Sequence, residues 1–222
     1  MTDRKAEPVI GLLVEGILNK KIILEYDMRL LFSLRGILLF FVCVLAAGNA
    51  PAANTTARYL NDQFGFSFHY PASWIFTPGA QRAMRVQLVT PDGVPAAACA
   101  VMVKEYPNAV NARQEEIDEI FEQTPTKEEL QEVLGQEEEH LHVIKASTGR
   151  LDGRPTHVGT YRLRQGLDEY LYGRVIMTAT PGLTWSVSCR GLGESREQAK
   201  KNFVSWQQDI DALIDSFTLP TD

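Results

Sequence analysis

Between residues 140 and 190 the chain offers four stretches suited to strands, 140–147, 156–164, 169–180 and 183–190, joined by short links. The links carry Asp152-Gly153, Gln165-Gly166 and Pro181-Gly182, dipeptides that reverse a chain tightly. A parallel crossover needs a dozen or more residues, so neighbours joined this closely are expected to pair antiparallel. A sheet so built has an apolar side that another element must cover. The cover is legible as well. After Ser195-x-x-Gln198, a helix-cap pattern, apolar residues recur at Ala199, Phe203, Trp206, Ile210, Leu213, Ile214 and Phe217. Steps of three and four give one wide hydrophobic face on a long C-terminal amphipathic helix.

Further upstream, Phe64, Phe66, Phe68 and Tyr70 alternate with Gly65, Ser67 and His69, the pattern of a half-buried strand ended by Pro71. Pro71-Ala72-Ser73-Trp74 then turns the chain, with Trp74 expected to plug one end of the core. Residues 85–90 and 97–104 are two more expected strands, parted by the turn Pro91-Asp92-Gly93. The period then changes. Asn111 is placed to cap a helix through residue 123 with Ile117, Ile120 and Phe121 as its apolar stripe. A second helix follows Thr126, whose capping box is completed by Glu129, and it is expected to stop at Gly135. The fold class is therefore α+β: a twisted antiparallel sheet with helices packed on it in an αβα sandwich. The length of 222 residues suits one domain with a good core.

The N-terminal segment has a different character. Residues 37–47 are an unbroken apolar run, preceded by Arg29 and Arg35 and followed by Ala50-Pro51-Ala52. A basic start, a short apolar centre and an A-x-A site make a secretory signal peptide over residues 28–52, cleaved after Ala52. Eleven apolar residues fall short of the roughly 20 that a transmembrane helix needs. Met28 is then the expected start, and residues 1–27 an upstream extension foreign to the protein. The alternative is an uncleaved signal anchor, the one route by which this chain would touch a membrane. Residues 53–61 form a lead-in, and the domain itself is expected over 62–220.

Removal of the signal takes Cys43 with it and leaves Cys99 and Cys189. In an oxidising compartment such a pair is expected to form one disulfide. Cys99 shares a strand face with Val101 and Val103, and Cys189 shares one with Leu183, Trp185 and Val187, so both sulfurs face the core. Two buried free thiols are the alternative.

Three segments together resemble a known family. They are Phe64-Gly65-Phe66-Ser67-Phe68-His69-Tyr70-Pro71-x-x-Trp74, Leu151-Asp152-Gly153-Arg154-Pro155, and the closing helix that runs into Ser216-Phe217. Their order and spacing are similar to those of the PsbP-like fold, shared by the photosystem II extrinsic subunit, exported DcrB-type bacterial proteins and a Ran-binding nuclear import factor. The resemblance covers about residues 59–219. It implies an αβα domain and a mostly non-enzymatic family of diverse roles, hence a fold more than an activity.

Chemistry is sparse. The chain has no Gly-rich phosphate loop, G-x-S-x-G, H-E-x-x-H or Cys-x-x-Cys. Its net charge of -6 makes no electrostatic case for nucleic acid. Eleven acidic residues against two basic ones between Arg113 and Glu139 read as a solvated helical face. The metal candidate is His140-x-His142 behind Glu137, Glu138 and Glu139, with His157 or an acidic side chain as third ligand. Its alternative is a pair of solvated histidines. The second candidate is Arg162, Arg164 and Arg174 with Tyr170 and Tyr172, a basic and aromatic patch for an anionic ligand or acidic partner. Its alternative is cross-strand pairing with Asp168, Glu169 and other acids. No cofactor is expected. The expected protein is an exported, non-enzymatic binding or accessory subunit of the bacterial envelope, periplasmic or secreted, with a protein partner. A ligand- or metal-binding periplasmic module is the second reading, and a hydrolase-type enzyme the third.

Overall fold

The tight turns do join antiparallel neighbours. The structure, a computed structural model, describes residues 55–79, 83–134, 140–165 and 168–220. The signal segment, Gly135, Glu137, Glu138, Glu139 and Gly166 lie outside these residues. The first two strands, β1 (Thr56–Leu60) and β2 (Ser67–Pro71), form a small sheet of their own. Strands β3 (Ile75–Pro78), β4 (Met84–Val89), β5 (Ala97–Glu105), β6 (His142–Leu151), β7 (Arg154–Gln165), β8 (Glu169–Thr180) and β9 (Leu183–Gly193) follow. They make a seven-stranded antiparallel sheet in the order β3-β4-β5-β9-β8-β7-β6. The turn from β6 to β7 has Asp152 at φ 50° and Gly153 at φ 76°. Two positive φ values in succession define the type I′ hairpin turn, which explains Asp-Gly at this place.

Helices α1 (Gln114–Glu122) and α2 (Lys127–Leu134) precede β6, and α3 (Arg196–Ser205) and α4 (Gln207–Asp215) follow β9. The capping box of α2 is closed as expected: the Glu129 N–H donates to Thr126 Oγ1 (3.1 Å) and the Thr126 N–H donates to Glu129 Oε2 (2.8 Å). α1 starts at Gln114 instead of after Asn111, and its N-cap, Arg113, offers no side-chain cap.

Directly opposed residues of neighbouring strands share a face of the sheet, so the register sorts every side chain. The front face carries Val86, Leu88, Val101, Val103, Ile176, Trp185 and Val187, buried against Phe203 of α3 and Ile210 and Leu213 of α4. The back face carries Val143, Tyr161 and Val175 beneath Leu130 of α2. Helices therefore cover both faces. α3 sits close on β9 because Gly191 and Gly193 stand beneath it. A Cβ on Gly191 would come within 2.3 Å of the Ala199 carbonyl oxygen and the Phe203 nitrogen.

The aromatic opening segment belongs to this front core, though not to the large sheet. Strand β2 begins at Ser67, not Phe64, because Gly65 at φ 71° ends a turn whose N–H donates to the Asn61 carbonyl (2.7 Å). Phe66 and Phe68 are fully buried and stack on Phe217, with ring centroids 5.5 and 5.8 Å away. His69 is exposed, as expected, whereas Ser67 is buried against Thr218. The lead-in is itself structured, since its Thr56–Leu60 is β1.

The long C-terminal helix divides at Trp206 (φ -107°, ψ 8°). Its indole packs edge-on against buried Trp74 at 5.4 Å and donates from Nε1 to the Pro95 carbonyl (2.7 Å). The two halves answer to different supports. α3 lies on β9 and β8, α4 on β2, and a single straight helix would not follow both. Cys99 and Cys189 stand directly opposite each other on β5 and β9, with Cα atoms 4.0 Å apart and the disulfide formed.

Candidate functional site

The register settles which charged side chains meet. Arg162 lies opposite Tyr172 and Arg164 opposite Tyr170, while Arg174 lies opposite both Thr160 and Cys189. All five residues of the basic and aromatic set therefore share the front face of β7 and β8. α3 packs on β9 and β8 and α4 on β2, and Arg162 and Arg164 on the front of β7 stay exposed.

Two further residues join the set. His142 lies opposite Arg162, and Lys145 lies opposite Thr160. A bulge between Val143 and Lys145 inserts Ile144 as an extra residue, which brings Lys145 to the front. The result is two cross-strand rows, Tyr172–Arg162–His142 and Arg174–Thr160–Lys145. His142, Lys145, Arg162 and Arg164 are exposed. Lys200 of α3 adds a cation over the Tyr172 ring at 5.8 Å, and Phe203 meets that ring edge-on at 5.6 Å.

The pairing expected as the alternative is realised in part, by a different acid. Arg174 is tied to Asp211 of α4 in a charge-assisted hydrogen bond, so it anchors the helix to the patch. Arg164 stands over the Tyr170 ring at 5.6 Å. Such a cation–π contact holds a guanidinium plane in place.

The metal trio is not assembled. His142 shares the front face with Arg162, whereas His157 lies opposite Met177 on the back face. His157 is half-buried there: its Nε2 lies 3.2 Å from the Ile120 carbonyl oxygen and its ring 4.7 Å from that of Phe121. Burial lowers its pKa, against hydrogen bonds to the Ile120 and Gln123 backbone and the Glu129 charge, which raise it. The physical reason for the separation is the pleat, because residues at odd and even places along β7 point to opposite sides. Among the described residues no group of three or more His, Cys, Asp or Glu side chains is placed to hold a metal ion.

Sequence reasoning missed Lys145 and Lys200. Strict alternation counted from His142 puts Lys145 on the back, and nothing short of the bulge reverses that. The place of Lys200 over Tyr172 depends on the approach of α3 to β9. Among the described residues no helix is long and apolar enough to cross a membrane.

No protein-family model matches the chain, and no curated protein matches it in sequence. Solved structures do. One is PsbP of the cyanobacterium Synechocystis (CyanoP), at 16% identity and TM-score 0.47, covering 79% of this chain and 99% of that one. The chain is similar to PsbP. The Ran-binding protein Mog1p of Saccharomyces cerevisiae follows, at 11% identity and TM-score 0.47, covering 75% of this chain and 96% of that one. LpqN, involved in cell envelope biogenesis of Mycobacterium tuberculosis, is similar at 9% identity and TM-score 0.45, covering 75% and 93%. These likenesses are of shape, and none brings a function with it.

Proposed function

We propose that the protein is an exported, non-enzymatic accessory subunit of a bacterial envelope that holds an acidic protein partner on its basic front face. One observation carries this reading: a chain of net charge -6 gathers His142, Lys145, Arg162, Arg164 and Arg174 on one face of three adjacent strands. Guanidinium groups stay protonated at any physiological pH, so Arg162, Arg164 and Arg174 recognise charge and do not move protons. The flanking tyrosines suit a protein interface, where amphipathic rings and arginine are enriched. The signal-like segment 28–52 supports export, and an exported chain would meet its partner in the envelope or beyond.

The test is affinity purification of the tagged mature chain from envelope fractions, beside an Arg162→Glu/Arg164→Glu variant. The expected result is one stoichiometric protein held by the first, lost from the second and released by raised salt. An equal yield from both would overturn the reading.

A further inference from the structure

We infer that the partner binds as an extended acidic segment added to the free edge of β6, continuing the seven-stranded sheet by one strand. This deepens the proposed function and rests on it. Strand β6 ends the sheet order and has no second neighbour among the described residues. In an antiparallel ladder alternate residues turn their N–H and C=O groups to one side, so β6 presents one set away from β7, beyond the Val143 N–H that donates to Gln131 of α2 (3.4 Å). An added strand satisfies that set with main-chain bonds and takes its specificity from side chains at every second position.

The ionisable side chains it would meet are all basic. Strand β6 reads HVIKASTGRL, with Lys145, Arg150 and His142 and no acid over ten residues. An added strand would extend the rows Tyr172–Arg162–His142 and Arg174–Thr160–Lys145 by one place each. Acidic residues at two alternate positions would there face His142 and Lys145 at the edge, with Arg162 one strand further in. The bulge at Ile144 leaves residues 145–151 as a regular stretch for pairing, and Ile144, 39% exposed, adds an apolar contact beside it. The same charges discourage a second copy of β6, since two such edges would set like charges against each other. An acidic extended segment is the occupant that both the backbone and the side chains of β6 accept.

Binding of a ten-residue peptide of alternating Glu and Thr to the mature chain, followed by calorimetry, tests this. The probe is compared with the same peptide N-methylated at every residue, which keeps the charges and loses the backbone donors. Strand addition predicts that methylation weakens binding by about tenfold or more, and that Arg162→Glu/Arg164→Glu weakens binding of the unmodified peptide. Equal affinity for the two peptides overturns strand addition and leaves the basic-face reading standing. Binding of neither peptide overturns both, and so does binding of neither together with capture of anionic phospholipid vesicles.

Discussion

The carboxylate of Asp152 accepts a hydrogen bond from the backbone N–H of Leu219 at 2.8 Å. This contact ties the β6–β7 hairpin to the C-terminal tail, which in turn bridges to β2 through Ser67 and Thr218. Two of the three motifs that resemble the PsbP-like pattern thus meet the tail of the third. Replacement of Asp152 by Ala removes the acceptor and is expected to cost about 1–3 kcal/mol in urea unfolding. Asn at this place keeps an acceptor and tolerates positive φ, so Asp152→Asn should lose much less. Equal losses would show that the contact contributes nothing.

Gly191 is expected to resist substitution for a steric reason. A Cβ there would stand 2.3 Å from backbone atoms of α3, so Gly191→Ala must lift the helix from β9. A loss of about 1–3 kcal/mol is expected. Lys200 would move with the helix, so peptide binding should weaken along with stability. A variant as stable as the parent would contradict the close approach.

The disulfide joins strands that are already hydrogen-bonded, across a separation of 90 residues. Closing so long a loop in the unfolded chain corresponds to about 4–5 kcal/mol in the chain-entropy model. Cys99→Ala/Cys189→Ala should lower the unfolding midpoint, and a reducing agent should lower the parent's midpoint and leave the variant's unchanged.

Stability should fall in mild acid through His157. Its folded pKa lies below the ordinary 6.5, first because of burial. Above 6.5 the ring is neutral in both states and adds no penalty. As pH falls through 6.5 the unfolded chain takes up the proton first, and stability drops until the folded value is passed. Melting temperatures at pH 7.5 and 5.5 should therefore differ more for the parent than for His157→Gln. An identical difference would remove His157 from the account.

Much of this was legible because it depends on local patterns. Asp152-Gly153 specifies its turn by the positive φ both residues adopt. Thr126 and Glu129 satisfy each other's N–H groups within one helical turn. The four C-terminal strands follow from alternation and short links, and alternation turns both cysteines to the core, whereas the β5–β9 pairing that sets them opposite each other joins segments far apart in the chain. Strand β3 is hidden in the sequence, because four exposed residues ending in Pro78 show no buried pattern, and β1 reads as a polar lead-in because its alternation spans only five residues, none of them fully buried.

The sequence by itself determined the four C-terminal strands with their turns, the capping box of α2 and the apolar faces, since each is set by residues within a few places of one another. The tertiary structure decided what lies across space. A bulge at Ile144 turned Lys145 to the front beside Arg174, and the pleat of β7 sent His157 to the back, away from His142. Trp206, held by Trp74 and Pro95, broke one helix into two. In each case a side chain's partner is chosen by register or packing between segments far apart in the chain, and no local pattern records that choice.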